Sequence, residues 1–205
     1  MSRGYHSVAA RIVGSARLRR QRGGIRPWPS VRRDIAGHLK EDPACIATTM
    51  FDFYALPQEG DRAWPGRATA GRFAGSVAKA QCVEAALRDD LTAEMGAFNP
   101  QRFVPFVIMH EFEALLFSDC AAFSRGINRP HLEPDFRRIR DQFATPEDIN
   151  DSPVSAPSKR VEALVPGYQK PLLGTLAVLE IGLAQIRAQC PHFDAWLEQL
   201  ESLAG

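Results

Sequence analysis

The alternation of apolar and polar positions divides the chain into a front part, in which strands alternate with helices, and a rear part that is mainly helical. The centre of the pattern is Phe103-Val104-Pro105-Phe106-Val107-Ile108-Met109-His110-Glu111-Phe112-Glu113-Ala114-Leu115-Leu116-Phe117-Ser118-Asp119. Its first half is a continuous apolar run, which predicts a strand buried on both faces, and its second half carries apolar residues at helical spacing. Residues 45–54 predict a second strand, rich in β-branched and aromatic side chains and followed by Leu56-Pro57. Residues 5–13 predict a shorter one, closed by Gly14. Ser30 is placed to cap a helix over residues 31–40, with Val31, Ile35, Ala36 and Leu39 on one face and Pro43 ending it. Residues 58–75 hold four glycines and predict an irregular excursion; residues 77–91 then predict an amphipathic helix leading back to the central strand. Strand, helix and strand in that order imply parallel neighbours joined by a right-handed crossover.

Beyond Asp119 the periodicity is helical. Short helices are predicted near residues 134–143, at Thr145-Pro146-Glu147-Asp148 and, after a polar link, from Ser158-Lys159-Arg160. Residues 172–189 form the most apolar segment, with Leu176, Leu179, Leu183 and Ile186 at the spacing of a core-facing stripe, and residues 192–203 predict a final helix. The expected fold is α/β: a mainly parallel sheet flanked by helices, with a helical part from about residue 130 to 205 and the whole of residues 1–205 in one domain.

Composition refines this picture in three ways. The longest apolar stretch, residues 172–186, is interrupted by Glu180 and falls short of the ~20 residues that cross a bilayer, so no membrane span is expected. Cys45, Cys82, Cys120 and Cys190 show no metal-ligand spacing and read as reduced, partly buried thiols of a cytoplasmic protein. Charge is unevenly spread: residues 1–40 carry ten Arg and Lys against one acid, Asp34, whereas residues 41–205 carry fifteen against twenty-three. The basic beginning suits an anionic partner such as DNA or RNA, or is a solvated surface. Within it, Arg19, Arg20 and Arg22 flank Gly23-Gly24, a loop whose backbone amides could cradle phosphate.

Candidate chemistry gathers where the central strand ends, because open α/β sheets bind ligands beyond the carboxyl ends of their strands. Asp52 near the end of one strand and Glu113 in the first turn after the other can point at one crevice, and carboxylates from separate elements are how proteins hold Mg²⁺. Each also has a structural reading, Asp52 as a turn residue and Glu113 as an ordinary N-terminal helix acid. His110 and Glu111 at the junction are secondary candidates: the histidine is an acid, a base, a ligand or an anchoring hydrogen-bond donor. Lys159 and Arg160 open a helix after a polar link, from which a basic side chain reaches phosphate or simply faces solvent.

Thr48-Thr49-Met50-Phe51-Asp52-Phe53-Tyr54-Ala55-Leu56-Pro57, His110-Glu111-Phe112-Glu113-Ala114-Leu115-Leu116-Phe117, Ala156-Pro157-Ser158-Lys159-Arg160 and Cys190-Pro191-His192-Phe193 together resemble a bacterial family catalogued as domain of unknown function 4276. The likeness covers nearly the whole chain. That family looks like a variant of the TOPRIM fold, the acidic Mg²⁺-binding domain of topoisomerases, primases and some nucleases, and its members are often encoded beside ATPases. The resemblance implies a Mg²⁺-dependent, phosphodiester-acting subunit that works with an ATPase in defence or DNA repair. Asp52 and Glu113 would be its metal ligands and Lys159 its phosphate-facing base, although Tyr54 stands where a typical TOPRIM sequence has a second Asp. The rival is a non-catalytic module that docks an ATPase or nucleic acid. TOPRIM domains begin with a strand ending in Glu-Gly, and this sequence has none. The expectation is therefore that the recorded start is internal and that roughly 20–40 residues, the size of a βα unit, precede it in frame.

Overall fold

A computed structural model describes residues 25–109, 111–149 and 156–203. The expected strand at 5–13, the basic loop of Arg19, Arg20 and Arg22, and His110 lie outside the described residues. The first helix, α1 (Trp28–Glu41), begins earlier than the Ser30 cap predicts, because Pro29 fits the first turn, where a missing N–H costs nothing. Its buried face is Trp28, Ile35, Ala36 and Leu39; of the predicted stripe, Val31 is only partly buried, and Trp28 joins the rest. Strand β1 (Ala47–Asp52) follows, then the excursion, which contains a 3₁₀ turn (Gly60–Arg62) and a short helix, α2 (Arg67–Ala70). Helix α3 (Ser76–Met95) buries Ala80, Val83, Leu87 and Leu91 and returns the chain to strand β2 (Phe103–Ile108). β1 and β2 pair in parallel, with Ala47 opposite Phe103 and Asp52 opposite Ile108.

The parallel pair and its helical crossover match the expected α/β class, although the sheet has only two strands among the described residues. Every residue of β2 is buried, as its unbroken apolar run requires. Its alternate side chains serve two cores. Phe103, Val107 and Met109 pack with α1, α3 and the tryptophans Trp28 and Trp64, whereas Phe106 and Ile108 pack with the C-terminal helices. On the side away from β1 the strand offers little to a further neighbour. Pro105 has no N–H, the Val107 N–H donates to Glu84 Oε1 at 2.8 Å, and Arg88 Nε reaches the Phe103 carbonyl at 3.5 Å. Glu84 in turn lies 3.0 Å from Nε2 of buried His192, which ties α3 and β2 to the last helix.

The rear part comprises α4 (Cys120–Gly126), α5 (Glu133–Arg140), α6 (Pro157–Leu164), α7 (Lys170–Ile181), α8 (Leu183–Gln189) and α9 (Pro191–Leu203). Two expectations are corrected here. Residues 172–189 are not one helix: Gly182, at φ 80°, separates α7 from α8, and the two axes are bent by 86°. The leucine stripe also faces outward. Leu172, Leu176 and Leu183 are exposed, and Leu179 is 73% exposed; of the predicted core positions only Ile186 is buried. The cause lies in the packing against α4. A Cβ on Gly126 would stand 2.8 Å from Ala177 Cα, so the seam between α4 and α7 is closed with small residues, Gly126 and Ala177, and the bulky leucines turn away. No single helix among the described residues is long and apolar enough to cross a membrane.

Thr145-Pro146-Glu147-Asp148 opens only a 3₁₀ turn, in which Asp148 accepts from the Thr145 N–H and hydroxyl. Glu147 serves a different helix: its two oxygens accept the His192 and Phe193 N–H groups, each at 2.9 Å, and so satisfy the start of α9. Cys190-Pro191-His192-Phe193 is thereby a structural knot held by one carboxylate at its backbone and another at its ring.

Candidate active site

The carboxyl ends of β1 and β2 meet the start of the segment Phe112–Ser118, which winds as a 3₁₀ helix rather than the expected α-helix and ends where Asp119 caps α4. Three acids are delivered here. Asp52 closes β1 and its Oδ1 accepts the Tyr54 N–H at 2.8 Å, so it has the turn role its position suggested. Glu111 precedes the 3₁₀ segment, and Glu113 lies in its first turn, only 4% exposed.

One lysine answers them. Lys170, the first residue of α7, places Nζ 2.9 Å from Glu111 Oε1 and 3.8 Å from Glu113 Oε1. Glu111 Oε2 also accepts the Ser158 N–H at 2.9 Å, at the start of α6. Burial pushes Glu111 upward, but the hydrogen bonds from Ser158 and Lys170 outweigh it and hold its pKa below the ordinary value. Glu113 goes the other way: burial raises its pKa, and Lys170 and its own backbone offset this only in part while Glu111 and Glu162 add to it. Asp52 is raised as well, first by burial, with the Tyr54 hydrogen bond opposing and the charge of Glu111 adding. Asp52 and Glu113 thus both feel the charges of Glu111 and Lys170, with burial the first cause of each shift.

Two further groups complete the site. Tyr168 is 7% exposed and its hydroxyl has no hydrogen-bond partner among the described residues, although the charges of Glu113 and Glu111 both act on it. Gly174 leaves the hydroxyl room: a Cβ there would stand 3.3 Å from Tyr168 Oη and 3.4 Å from Phe112 Cε1. Arg67, buried on the other flank, donates from Nε to the Phe53 carbonyl at 2.8 Å and lays its guanidinium 3.9 Å from the Phe53 ring centre. Burial lowers its pKa while Tyr54 and Asp52 oppose that, which places this cation beside the end of β1.

The structure therefore gathers Asp52, Glu111 and Glu113 at one end of the sheet. Lys159 pairs its ammonium with Glu162 Oε2 at 2.7 Å on the solvent side of α6, and the charge of Glu111 also acts on it. Arg160 sets its guanidinium 5.4 Å from the Phe143 ring centre. Lys170, Tyr168, Arg67 and the Ser158 N–H were not anticipated. A signal for Lys170 did exist: a cation at the first position of an apolar helix opposes the macrodipole and therefore needs an acidic partner elsewhere.

The donor types are those a hard divalent cation takes: carboxylate oxygens, with a buried hydroxyl that has no partner among the described residues. Its arrangement is not that of a closed metal centre, since no group of three or more His, Cys, Asp or Glu side chains is poised to hold an ion among the described residues. Lys170 stands between the two glutamates.

The raised pKa values have a consequence for stability. Glu113 binds its proton more tightly folded than unfolded, so its contribution is full below the ordinary value of 4.5 and is lost as pH rises through the higher folded value. Glu111, being lowered, contributes with the opposite sign. Metal-free Glu113→Gln should accordingly melt above the parent protein at pH 7, and the difference should vanish by about pH 4. Paired thermal melts across that range check it; a variant that melts lower at pH 7 would mean that the attraction of Lys170 outweighs the burial.

A family model described as Domain of unknown function (DUF4276) matches residues 2–201. No curated protein and no solved structure matches the chain.

Proposed function

The chain belongs to the family described as Domain of unknown function (DUF4276), and from that premise we propose that it is a cytoplasmic, Mg²⁺-dependent, phosphodiester-acting subunit with a TOPRIM-like core, working beside an ATPase in defence or DNA repair. The observation that supports this most is the gathering of Asp52, Glu111 and Glu113 beyond the carboxyl ends of two parallel strands, with Lys170 as the lysine paired into the cluster. Asp52 and Glu113 are the residues that would hold the ion, the first from a strand end and the second from a buried turn. A divalent ion bound there would polarise a phosphoryl oxygen and lower the pKa of a coordinated water. Glu111 is held by Ser158 and Lys170 and so fixes the geometry around the other two acids. Lys159 and Arg160, on the first turn of α6, supply positive charge at the rim for a phosphate backbone.

The test is nuclease activity of the purified protein on single- and double-stranded DNA and RNA with Mg²⁺ or Mn²⁺, alone and with an ATPase encoded beside it. Asp52→Asn and Glu113→Gln should each abolish cleavage and divalent binding with the fold intact by circular dichroism. Cleavage that survives both substitutions would remove this site from the chemistry.

A second reading, a non-catalytic module that docks an ATPase or nucleic acid, is favoured by the outward leucine face of α7 and α8. Under either reading, nucleic-acid binding should depend on the basic N-terminal region. Charge reversal of Arg19, Arg20 and Arg22 is expected to weaken binding and flatten its salt dependence by about 0.7–0.9 in log–log slope for each phosphate the protein ceases to neutralise. An unchanged slope in a salt titration would take the loop out of the interface.

A further inference from the structure

Lys170 occupies the place a cation would take. Its ammonium touches Glu111 at 2.9 Å and approaches Glu113 at 3.8 Å, yet its side chain is 41% exposed, so it can leave this position for solvent without crossing packed structure. Glu113 cannot: its side chain is 5% exposed and stays where the 3₁₀ turn puts it. Tyr168 supplies an independent sign that something is accommodated here. A buried hydroxyl without a partner is costly, and this one, unpartnered among the described residues, lies two residues before Lys170, feels the charges of Glu113 and Glu111, and is packed so closely on Gly174 that a Cβ there would stand 3.3 Å from it. A hydrated divalent ion meets both conditions, because it replaces the ammonium's charge and brings water that a phenol can hydrogen-bond.

Resting on the metal-binding reading above, we propose that Lys170 is the resident cation of this site, that a divalent ion must displace it to reach Glu113 and Asp52, and that Tyr168 holds a water of the incoming ion. Lys170 therefore sets the affinity for the ion by competing with it. Once displaced from Glu111, its ammonium is free to meet a phosphate oxygen of the substrate, so ion binding and phosphate binding are coupled through one side chain.

Mn²⁺ serves as the probe, its free concentration followed by electron paramagnetic resonance and its binding heat by calorimetry at low ionic strength. Lys170→Met should bind Mn²⁺ roughly tenfold or more tightly than the parent protein, since a like charge is removed from beside the ion. Lys170→Gln, which keeps a polar tip, should show the same direction and serves where Lys170→Met does not fold. Tyr168→Phe should bind Mn²⁺ several-fold more weakly while its metal-free form melts higher, because an unpartnered hydroxyl has gone. If the parent binds Mn²⁺ and both lysine variants bind it equally or more weakly, the displacement is wrong and the metal site stands. If neither the parent nor the lysine variants bind Mn²⁺ at millimolar concentration, the metal reading and this inference fall together. Unchanged affinity and melting in Tyr168→Phe would remove the tyrosine from the scheme.

Discussion

Replacing Glu84 by alanine is expected to cost about 2–6 kcal/mol of folding stability, since it strips partners from two buried groups at about 1–3 kcal/mol each. One oxygen takes the Val107 N–H from the middle of β2, and the carboxylate also meets the His192 ring from α9. Neither group can turn to water, for Val107 is fully buried and His192 nearly so. Glu84→Gln retains a carbonyl for Val107 and should lose much less, about 1 kcal/mol. Chemical denaturation of the two variants compares them directly, and a Glu84→Ala midpoint within experimental error of the parent would show that the region relaxes to let water in.

The second large effect is expected at Phe123. It is fully buried, stacks on Phe136 at 4.3 Å between ring centres, and meets the edge of Phe117 at 5.6 Å. Phe123→Ala should destabilise by about 3–5 kcal/mol, because less apolar surface is buried and a cavity is left behind. The more telling outcome is where the effect is felt. Because β2 lines both cores, the front core should melt with the rear one in a single transition. In a Trp196→Phe background the remaining tryptophans, Trp28 and Trp64, report on the front core alone. Their emission should change together with the far-ultraviolet signal; a front core that outlives the helices would show two independent units.

What the sequence disclosed and what it hid follow from the range of the interactions concerned. β2 and the buried face of α1 were legible because each is a local pattern that only one secondary structure can bury. The stripe of Leu176, Leu179 and Leu183 was misread because periodicity specifies a face and not what the face meets. The close approach of Gly126 to Ala177 decided that, and it joins residues far apart in the chain. The same limit governs the site. Asp52 ends β1 and Glu111 and Glu113 open the segment after β2, positions that follow from strand boundaries alone. Lys170 and Tyr168 were not foreseen, because their relation to the acids exists only once α7 has packed against the 3₁₀ segment. Glu147 is a parallel case: a first-turn acid by local rules, it caps a helix more than forty residues away.

The treatment of the outer side of β2 gives the sheet a direction of growth. With a proline at one hydrogen-bonding position, a carboxylate on the next amide and an arginine against a carbonyl, that margin is terminated, and a strand from another molecule finds no ladder to extend. Any further strand has to join at β1. Two molecules that meet along β2 are thus refused by the same Glu84 that secures the fold. Glu84→Ala would reopen a backbone donor on a buried apolar strand, so that partial unfolding of the variant exposes a template for intermolecular pairing, seen as turbidity on heating that the parent protein escapes.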